Sequence, residues 1–176
     1  NRKYETEIQV RQKAFTSKNF PEHDFSLANH RDFFVKNVRE GTTDANGNAT
    51  ENFQVPDLYA NSGLLHAGFY TTVFDETGRP VSRNITSEIY TQDVFHGIRD
   101  DGFYYYSLNQ PVTFNLVSVN REGNAVNATA RVQVIKHEYR TVLVKSGSFF
   151  RYDSQQEEKV LTEKEMTVGG GTAFSY

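Results

Sequence analysis

The chain has 176 residues, a formal net charge of −3 and no cysteine, and 37% of its residues are apolar. Without cysteine it has no disulfide, thiol nucleophile or zinc–thiolate site. It also has no run of four Lys or Arg residues, and no segment approaches the roughly 20 apolar residues that cross a bilayer. The sequence therefore predicts neither nucleic-acid binding nor membrane insertion.

Most of the chain has the pattern of short β-strands separated by turns. Residues 4–14 alternate around Ile8 and Val10, which predicts a strand with one buried face. Residues 17–37 lose this alternation and are predicted to form a loop with at most one short helical turn. Val, Ile, Phe, Tyr and Thr favour strands, and on this basis further strands are predicted at residues 49–55, 63–74, 81–90, 112–119, 124–136 and 138–144.

Three turns share one design, in which polar residues precede a single glycine. The glycines are Gly47, Gly78 and Gly123. A type I turn followed by glycine in the left-handed region closes a short hairpin, because only glycine adopts a positive φ without a Cβ clash. All three segments are predicted to be hairpin tips.

The predicted fold class is all-β, with two consecutive antiparallel β-sandwich domains at residues 1–93 and 94–176. The boundary is placed near Gln92, Asp93 and Val94, where one pair of long strands ends and a new segment begins. Residues 167–176 are predicted to form the end of a strand, a Gly-rich turn and the opening of another strand. The second domain is therefore expected to be incomplete at its C-terminus.

The densest group of potential metal ligands is His23, Asp24, His30 and Asp32. A metal site needs three or four converging side chains, and a solvated loop is the better interpretation here. His66, His96 and His137 have no nucleophile nearby in sequence, and no GxSxG or Ser-x-x-Lys motif is present. Glycosidase chemistry would need two carboxylates close together, and the candidates, better interpreted as a solvated face, are Asp100, Asp101, Glu157, Glu158, Glu163 and Glu165.

Two further motifs are candidate binding sites. Gly169, Gly170 and Gly171 lack the helix and the Lys of a phosphate loop, so a flexible turn is predicted. The aromatic run 103–106 could grip a sugar or a protein if it lies on an exposed strand, where two of its four side chains would point inward. The sequence thus predicts no catalytic, cofactor-binding or metal-binding residues and no enzyme activity.

In their order, several of these motifs resemble the bacterial alpha-2-macroglobulin family. The first is GTTDANGNA at residues 41–49, leading to VPD at 55–57, and the second is FDETGRPV at residues 74–81. The third is GFYYYSLNQPV at 102–112, followed by VNREG at 119–123. Residues 136–141 and 147–152 are similar to a later family stretch, with Tyr139 and Phe149 or Phe150 where the family usually has Trp.

The resemblance implies two middle macroglobulin domains that precede the bait region of a proteinase trap. Their implied role is structural, as part of the rigid frame of a broad-spectrum inhibitor in the bacterial cell envelope or outside the cell. The implied partners are neighbouring domains of the same polypeptide and, through the full-length protein, proteinases. The family's thioester needs a Cys, so it cannot lie in this chain.

Two alternatives remain open at this point. One is an adhesin or carbohydrate-binding module that uses Tyr104 or Tyr106. The other is a hydrolase, which would need a pocket that joins one histidine to two carboxylates.

Overall fold

The computed structural model describes residues 1–27, 35–100, 102, 105–107 and 109–176. It is all-β and antiparallel, which confirms the predicted fold class, with three sheets ordered β2-β1-β3-β4, β5-β6-β9 and β7-β8. The strands in the described residues are β1 (Lys3–Lys13), β2 (Val35–Thr42), β3 (Leu64–Phe74), β4 (Pro80–Tyr90), β5 (Phe95–Arg99), β6 (Thr113–Val119), β7 (Ala128–Ser146), β8 (Phe149–Val168) and β9 (Thr172–Ser175).

The four-stranded sheet forms because β1 alternates strictly between buried and wetter positions. Ile8 and Val10 are buried on one face, together with Leu65 and Ala67 of β3. The opposite face of β1 carries Lys and Glu side chains. The apolar face of this sheet must therefore be shielded from water by another part of the chain, whereas the opposite face is solvated.

Part of that cover is the segment between β2 and β3. Phe53 and Val55 pack against the buried face, and Tyr59 closes it from a 3₁₀ turn at Asp57–Tyr59. Arg39 on β2 donates a hydrogen bond from Nη1 to the carbonyl of Asn52 at 2.6 Å. The strand predicted at residues 49–55 is wrong, because this segment lies across the sheet face and does not pair along its edge.

The three-stranded sheet has both faces covered around its central strand, β6. Leu116, Val117, Ser118 and Val119 are all buried. Val117 and Val119 face an aromatic cluster near the first sheet, whereas Leu116 packs with residues of the β7–β8 ribbon. This sheet and the base of the ribbon enclose a hydrophobic core between them.

The long ribbon of β7 and β8 departs most from the expected strand pattern. The two strands predicted at residues 124–136 and 138–144 are one continuous strand of 19 residues, and its 20-residue partner β8 was not predicted. The turn at residues 169–171 and the strand after it are confirmed, but β9 pairs with β6 of the second sheet.

Two further strands also differ from the prediction. The loop assigned to residues 17–37 ends earlier, since β2 begins at Val35 and pairs with β1. The short strand β5 lies at Phe95–Arg99, in a segment for which no strand was predicted. By contrast, the strands predicted around β1, β3, β4 and β6 are confirmed to within about two residues.

The three glycine turns lie where they were predicted and share one hydrogen-bond pattern, but only the turn at Gly78 is the tip of a hairpin between two paired strands, β3 and β4. The hairpin prediction is wrong at Gly47, because the described residues 48–63 contain no strand, and at Gly123, because β6 does not pair with β7 among the described strands. Gly47, Gly78 and Gly123 have φ values of 86°, 81° and 80°. In each turn, one side-chain oxygen of Asp44, Asp75 or Asn120 accepts hydrogen bonds from the backbone N–H groups two and four residues later. Such bonds satisfy donors that the tight turn would otherwise leave unpaired.

The turn at Asp75 is expected to lose stability in acid. Hydrogen bonds from the Thr77 hydroxyl and the Arg79 backbone N–H lower the pKa of Asp75 from 3.8 to about 2. A carboxyl group with a lower pKa in the folded state stabilises the fold above its unfolded pKa and loses that contribution as the pH falls toward its folded pKa.

We therefore expect the melting temperature of the wild type to exceed that of Asp75→Asn at pH 6, and the difference to shrink between about pH 4 and pH 2. Asn120 serves as the precedent, because an amide oxygen accepts the same two backbone bonds there. Thermal melts of both proteins over this pH range test the prediction. A difference that stays constant with pH would contradict it.

Candidate functional site at the junction of the sheets

The four-stranded sheet and the three-stranded sheet meet through a segment that begins where β1 ends. After Lys13 the chain leaves the first sheet, and Asp24 forms an isolated antiparallel bridge with Ile98 of β5. The two backbone hydrogen bonds of this bridge measure 2.8 and 2.9 Å. Residues that precede β2 of the first sheet are thus hydrogen-bonded to the second sheet.

An aromatic cluster fills the space beneath this crossing. Phe15 stacks on Phe95 with ring centroids 4.0 Å apart and planes 10° from parallel, and its ring meets Phe25 edge to face at 5.3 Å. Leu64 of the first sheet and Val117 of the second complete the contact. We name this set the junction cluster, which comprises Phe15, Phe25, Leu64, Phe95, Val117 and Val119.

Hydrogen bonds and an ion pair surround the junction cluster and join segments of the chain that are far apart in sequence. The Ser17 hydroxyl donates to the Gly123 carbonyl at 2.9 Å, although the two residues are 106 positions apart. The Asn19 amide donates to the same carbonyl at 3.1 Å. Arg121 forms an ion pair with Asp93 at 2.7 Å, and its guanidinium lies 5.6 Å from the centroid of the Tyr90 ring. The junction therefore combines apolar burial with directional bonds.

A cavity of about 320 Å³ lies beside the junction cluster, with mostly apolar walls that include Phe15, Phe25, Leu64 and Phe95. Gln12, Lys13 and Ser62 contribute polar groups. The cavity also borders Leu27, the last described residue before the segment 28–34. None of the described residues that line it is a histidine or acidic candidate from the sequence.

The structure describes only two of the four potential metal ligands, His23 and Asp24. His23 shares a hydrogen bond through Nε2 with Asn115 Oδ1 at 2.9 Å, and its buried Nδ1 has no partner among the described residues. The pKa of Asp24 is lowered mainly by hydrogen bonds from Ser26. His30 and Asp32 lie outside the described residues. Within the described part of the chain, no three His, Asp or Glu side chains are grouped to hold a metal.

The other histidines lie on separate strands. His96 Nδ1 lies 2.9 Å from the Ser118 hydroxyl, and burial lowers the pKa of His96. Among the described residues, no Asp or Glu lines the cavity of about 350 Å³ beside His96. His66 lies on β3, and His137 on the ribbon lies 3.7 Å from Glu158. None of these arrangements supplies the pocket with one histidine and two carboxylates that a hydrolase would need.

The candidate carboxylates that the structure describes form separate contacts. Asp100 accepts the backbone N–H of Gly102 at 2.9 Å, and Asp101 lies outside the described residues. Glu157 pairs with Arg140 at 3.1 Å, and Glu163 with Arg131 at 4.0 Å. Glu158 and Glu165 are exposed on β8. The four glutamates lie exposed on β8, whereas Asp100 lies outside the ribbon.

The aromatic run at residues 103–106 is only partly described. Phe103 and Tyr104 lie outside the described residues. Tyr105 is 93% exposed and Tyr106 is 41% exposed, and both lie in a segment without regular secondary structure. Tyr105 and Tyr106 therefore do not lie on the exposed strand on which sugar or protein binding by this run would depend.

The sequence reading missed the junction cluster. Phe15, Phe20 and Phe25 occur at intervals of five residues in a segment that otherwise has turn character. That spacing matches neither a helix nor a strand, so periodicity could not place them. Their concentration in an otherwise polar loop was the available signal, because a loop rich in phenylalanine needs something to pack against.

Gly97 tests how tightly the junction cluster is packed. A Cβ atom at this position would lie 2.6 Å from the nearest ring atom of Phe25. We expect Gly97→Ala to destabilise the chain by about 1–3 kcal/mol through overpacking. Urea unfolding measures the loss, and Phe25→Leu in the same chain should recover part of it by vacating the ring position. Equal stability of Gly97→Ala and the wild type would contradict this packing.

Residues 1–90 match the family model described as the bacterial alpha-2-macroglobulin MG5 domain. No curated protein has a sequence that matches this chain. Among the described residues, no helix has the length and apolarity needed to cross a membrane.

Solved structures of bacterial alpha-2-macroglobulins share the fold. Salmonella alpha-2-macroglobulin reacted with methylamine matches 99% of this chain with a TM-score of 0.63 and 16% identity, over 13% of its own chain. The native conformation of the Escherichia coli protein matches 99% of this chain with a TM-score of 0.61 and 15% identity, over 12% of its own. The Escherichia coli protein activated by porcine elastase matches 98% of this chain with a TM-score of 0.51 and 15% identity, over 16% of its own chain.

Proposed function

Because the chain belongs to the bacterial alpha-2-macroglobulin family, whose MG5 model matches residues 1–90, we propose that it is a rigid, non-catalytic section of the frame of a proteinase trap. The chain spans about an eighth of the length of the two relatives with the higher TM-scores. A section of this size would hold other parts of a longer polypeptide at fixed positions. Proteinase binding would involve the full-length protein rather than this chain alone.

The junction cluster is the observation that carries this proposal. A frame element must resist bending between its parts, and flexible linkers between domains permit motion. Here the link consists of buried phenylalanine rings, a two-bond backbone bridge and side-chain bonds to Gly123. These contacts support a joint with one preferred geometry.

The division into domains at residues 1–93 and 94–176 is part of the proposal. The four-stranded sheet lies wholly before residue 93, and the other two sheets lie wholly after it. Residues 15–25 cross this boundary to pack on the second unit. We also propose that the protein acts in the bacterial cell envelope or outside the cell.

A distance measurement tests the rigid joint. The chain has no cysteine, so Asn84→Cys on β4 and Thr167→Cys on β8 give two unique sites for spin labels. Double electron–electron resonance should give one narrow distance distribution. Two resolved distances, or a distribution as broad as that of a flexible linker, would contradict a frame element.

The inhibitor role is tested on the full-length polypeptide that contains this chain. The protein is mixed with a panel of proteinases, and its cleavage is followed by gel. If it is a trap, a single cleavage should retain the enzyme while small substrates still turn over. Unrestrained digestion of the full-length protein would contradict the inhibitor role while leaving the structural role intact.

A carbohydrate-binding module is the second candidate, favoured by the exposure of Tyr105 and Tyr106. Exposed aromatic rings bind sugars by stacking. A glycan array that compares the wild type with a Tyr105→Ala, Tyr106→Ala double variant separates the two functions. Binding that depends on these tyrosines would favour the module over the frame element.

A further inference from the structure

The β7–β8 ribbon extends well beyond the core that supports it. At its base, Val132, Val134 and Met166 pack against the buried residues Leu116, Val168 and Phe174. Residues 135–161, which we name the distal ribbon, contribute to none of the buried clusters of the described structure. A lone two-stranded ribbon is marginal in water, because it lacks a second layer on which to bury its apolar side chains.

The apolar face of the ribbon changes sides where the distal ribbon begins. In β7 the core-facing positions are Ala130, Val132 and Val134, but the large apolar residues then move to Ile135, Tyr139 and Leu143. A single step along a strand moves a side chain to the other face. The distal ribbon therefore presents its apolar residues on the face opposite the one that the base buries.

The partner strand makes the same change through a bulge. The register slips between Val134 and Ile135, so that Leu161 has no direct partner and Val160 lies opposite Ile135. Farther along, Tyr152 lies opposite Leu143. Both strands thus deliver apolar side chains to one stripe, which the polar pairs His137–Glu158 and Thr141–Ser154 interrupt. Its exposed apolar members are Ile135, Tyr139, Leu143, Phe150, Tyr152 and Val160.

At the tip, apolar side chains occupy both faces. Leu143 and Tyr152 lie on the stripe side, with exposures of 58% and 78%. On the other side are Val142, Val144 and the exposed ring of Phe149, next to the turn at Gly147. Residues 139–156 carry three basic side chains and one acidic side chain, in a chain whose net charge is −3.

The area of the distal ribbon indicates the shape of its partner. With a rise of ~3.4 Å per residue and strands ~4.8 Å apart, each face of the distal ribbon offers roughly 400 Å². Two copies pressed face to face would bury about 800 Å² in total, the size of a non-specific contact. A groove that encloses both faces reaches about 800 Å² on each side, which is typical of a stable interface.

We propose that the distal ribbon inserts into a groove on another domain of the same polypeptide, with an apolar wall against the stripe, a polar wall against the opposite face, which carries Lys136, Glu138 and Lys159, and an acidic rim around the tip. The proposal depends on the proposed function only in that the chain is a module of a longer protein. Most of the length of each structural relative lies outside the matched part, so a partner surface can be supplied within one chain. A membrane-dipping tip would not need the stripe, which continues back to Ile135 and Val160 at the base.

Photo-crosslinking in the full-length polypeptide identifies the domain that contacts the distal ribbon. A benzoylphenylalanine at Tyr152 should crosslink within one molecule, to one domain outside the 176 residues. The matched control is Tyr70, an aromatic residue that is 41% exposed on the polar face of β3, and it should give no such product. Crosslinks between copies, crosslinks to lipid, or a pattern no different from that of Tyr70 would overturn the proposal.

Hydrogen exchange in the same full-length polypeptide provides the second test. The triple variant Tyr139→Ser, Leu143→Ser, Tyr152→Ser should speed exchange of the amides of residues 136–159 at least tenfold. The amides of residues 129–134 should be unchanged, which shows that the variant is folded. Exchange that is equally fast in wild type and variant would overturn the proposal. The spin-label distance across the junction is independent of this result, so the frame function would survive such a failure.

Discussion

Replacing Phe95 by alanine is expected to lower the free energy of unfolding by about 3–5 kcal/mol, the usual cost of truncating a buried aromatic residue. Phe95 is 3% exposed and stacks on Phe15. Its ring also meets Tyr90 edge to face at 6.1 Å, so truncation opens a void between the segments that join the two sheets. Urea unfolding of the 176-residue chain, followed by circular dichroism, measures the loss.

The matched control for this prediction is Phe149→Ala at the ribbon tip. Phe149 is 62% exposed, so its truncation in the same chain should change stability by less than about 0.5 kcal/mol. The Phe95→Ala variant should also broaden the spin-label distance distribution between β4 and β8. A variant with full stability and an unchanged distance would show that the junction cluster does not hold the sheets together.

Replacing Tyr59 by alanine is the second large effect and is expected to cost about 3–5 kcal/mol. Tyr59 is 1% exposed and packs with Ile8, Val10 and Leu65. It is the main residue by which the segment between β2 and β3 closes the buried face of the first sheet. Its loss should expose that face, which increased binding of an apolar dye would report alongside the unfolding curve.

Two variants separate packing from hydrogen bonding at this position. The Tyr59 hydroxyl lies 3.4 Å from the Val10 carbonyl, which is long for a hydrogen bond. Tyr59→Phe keeps the buried ring and removes only the hydroxyl, so it should lose less stability than Tyr59→Ala. Leu58→Ala removes an adjacent side chain that is 56% exposed and should change little. A large loss in Leu58→Ala would contradict the role assigned to Tyr59.

Alternation located the strands that have one wet face and one buried face. In β1 the buried residues Tyr4, Thr6, Ile8 and Val10 recur at every second position. The glycine turns were also predictable, because positive φ after polar residues strongly restricts residue choice. These two signals were enough for the all-β class and for the hairpin of β3 and β4.

Strands that are wet on both faces leave no such pattern. The middle of β8 is a polar run with every residue from Ser154 to Lys159 exposed, so nothing in its periodicity marks a strand. The edge strand β2 mixes Lys36, Arg39 and Glu40 with few apolar residues, as exposed edges commonly do. Conversely, residues 49–55 carry apolar residues for a different reason, since they cover a sheet from above.

The contacts of the junction cluster could not be predicted from the sequence, for a related physical reason. Phe15 and Phe95 meet only because the chain crosses between two sheets, and no local period records a contact over that separation. The face change of the ribbon is different, because the shift from even to odd apolar positions after Val134 is visible in the sequence. It becomes interpretable only when the register shift opposite Leu161 is known.

The crossing of residues 15–25 also has a consequence for the order of events on the ribosome. The strands of the first sheet are complete once Tyr90 has been made, but Phe15 and Phe25 still lack Val117 and Val119. At about 5–20 residues per second, the nascent chain waits roughly 1–6 s for these partners. During that interval the two phenylalanine rings lack the β6 side chains that complete their cover, so we expect the first half of the chain to expose apolar surface until β6 emerges.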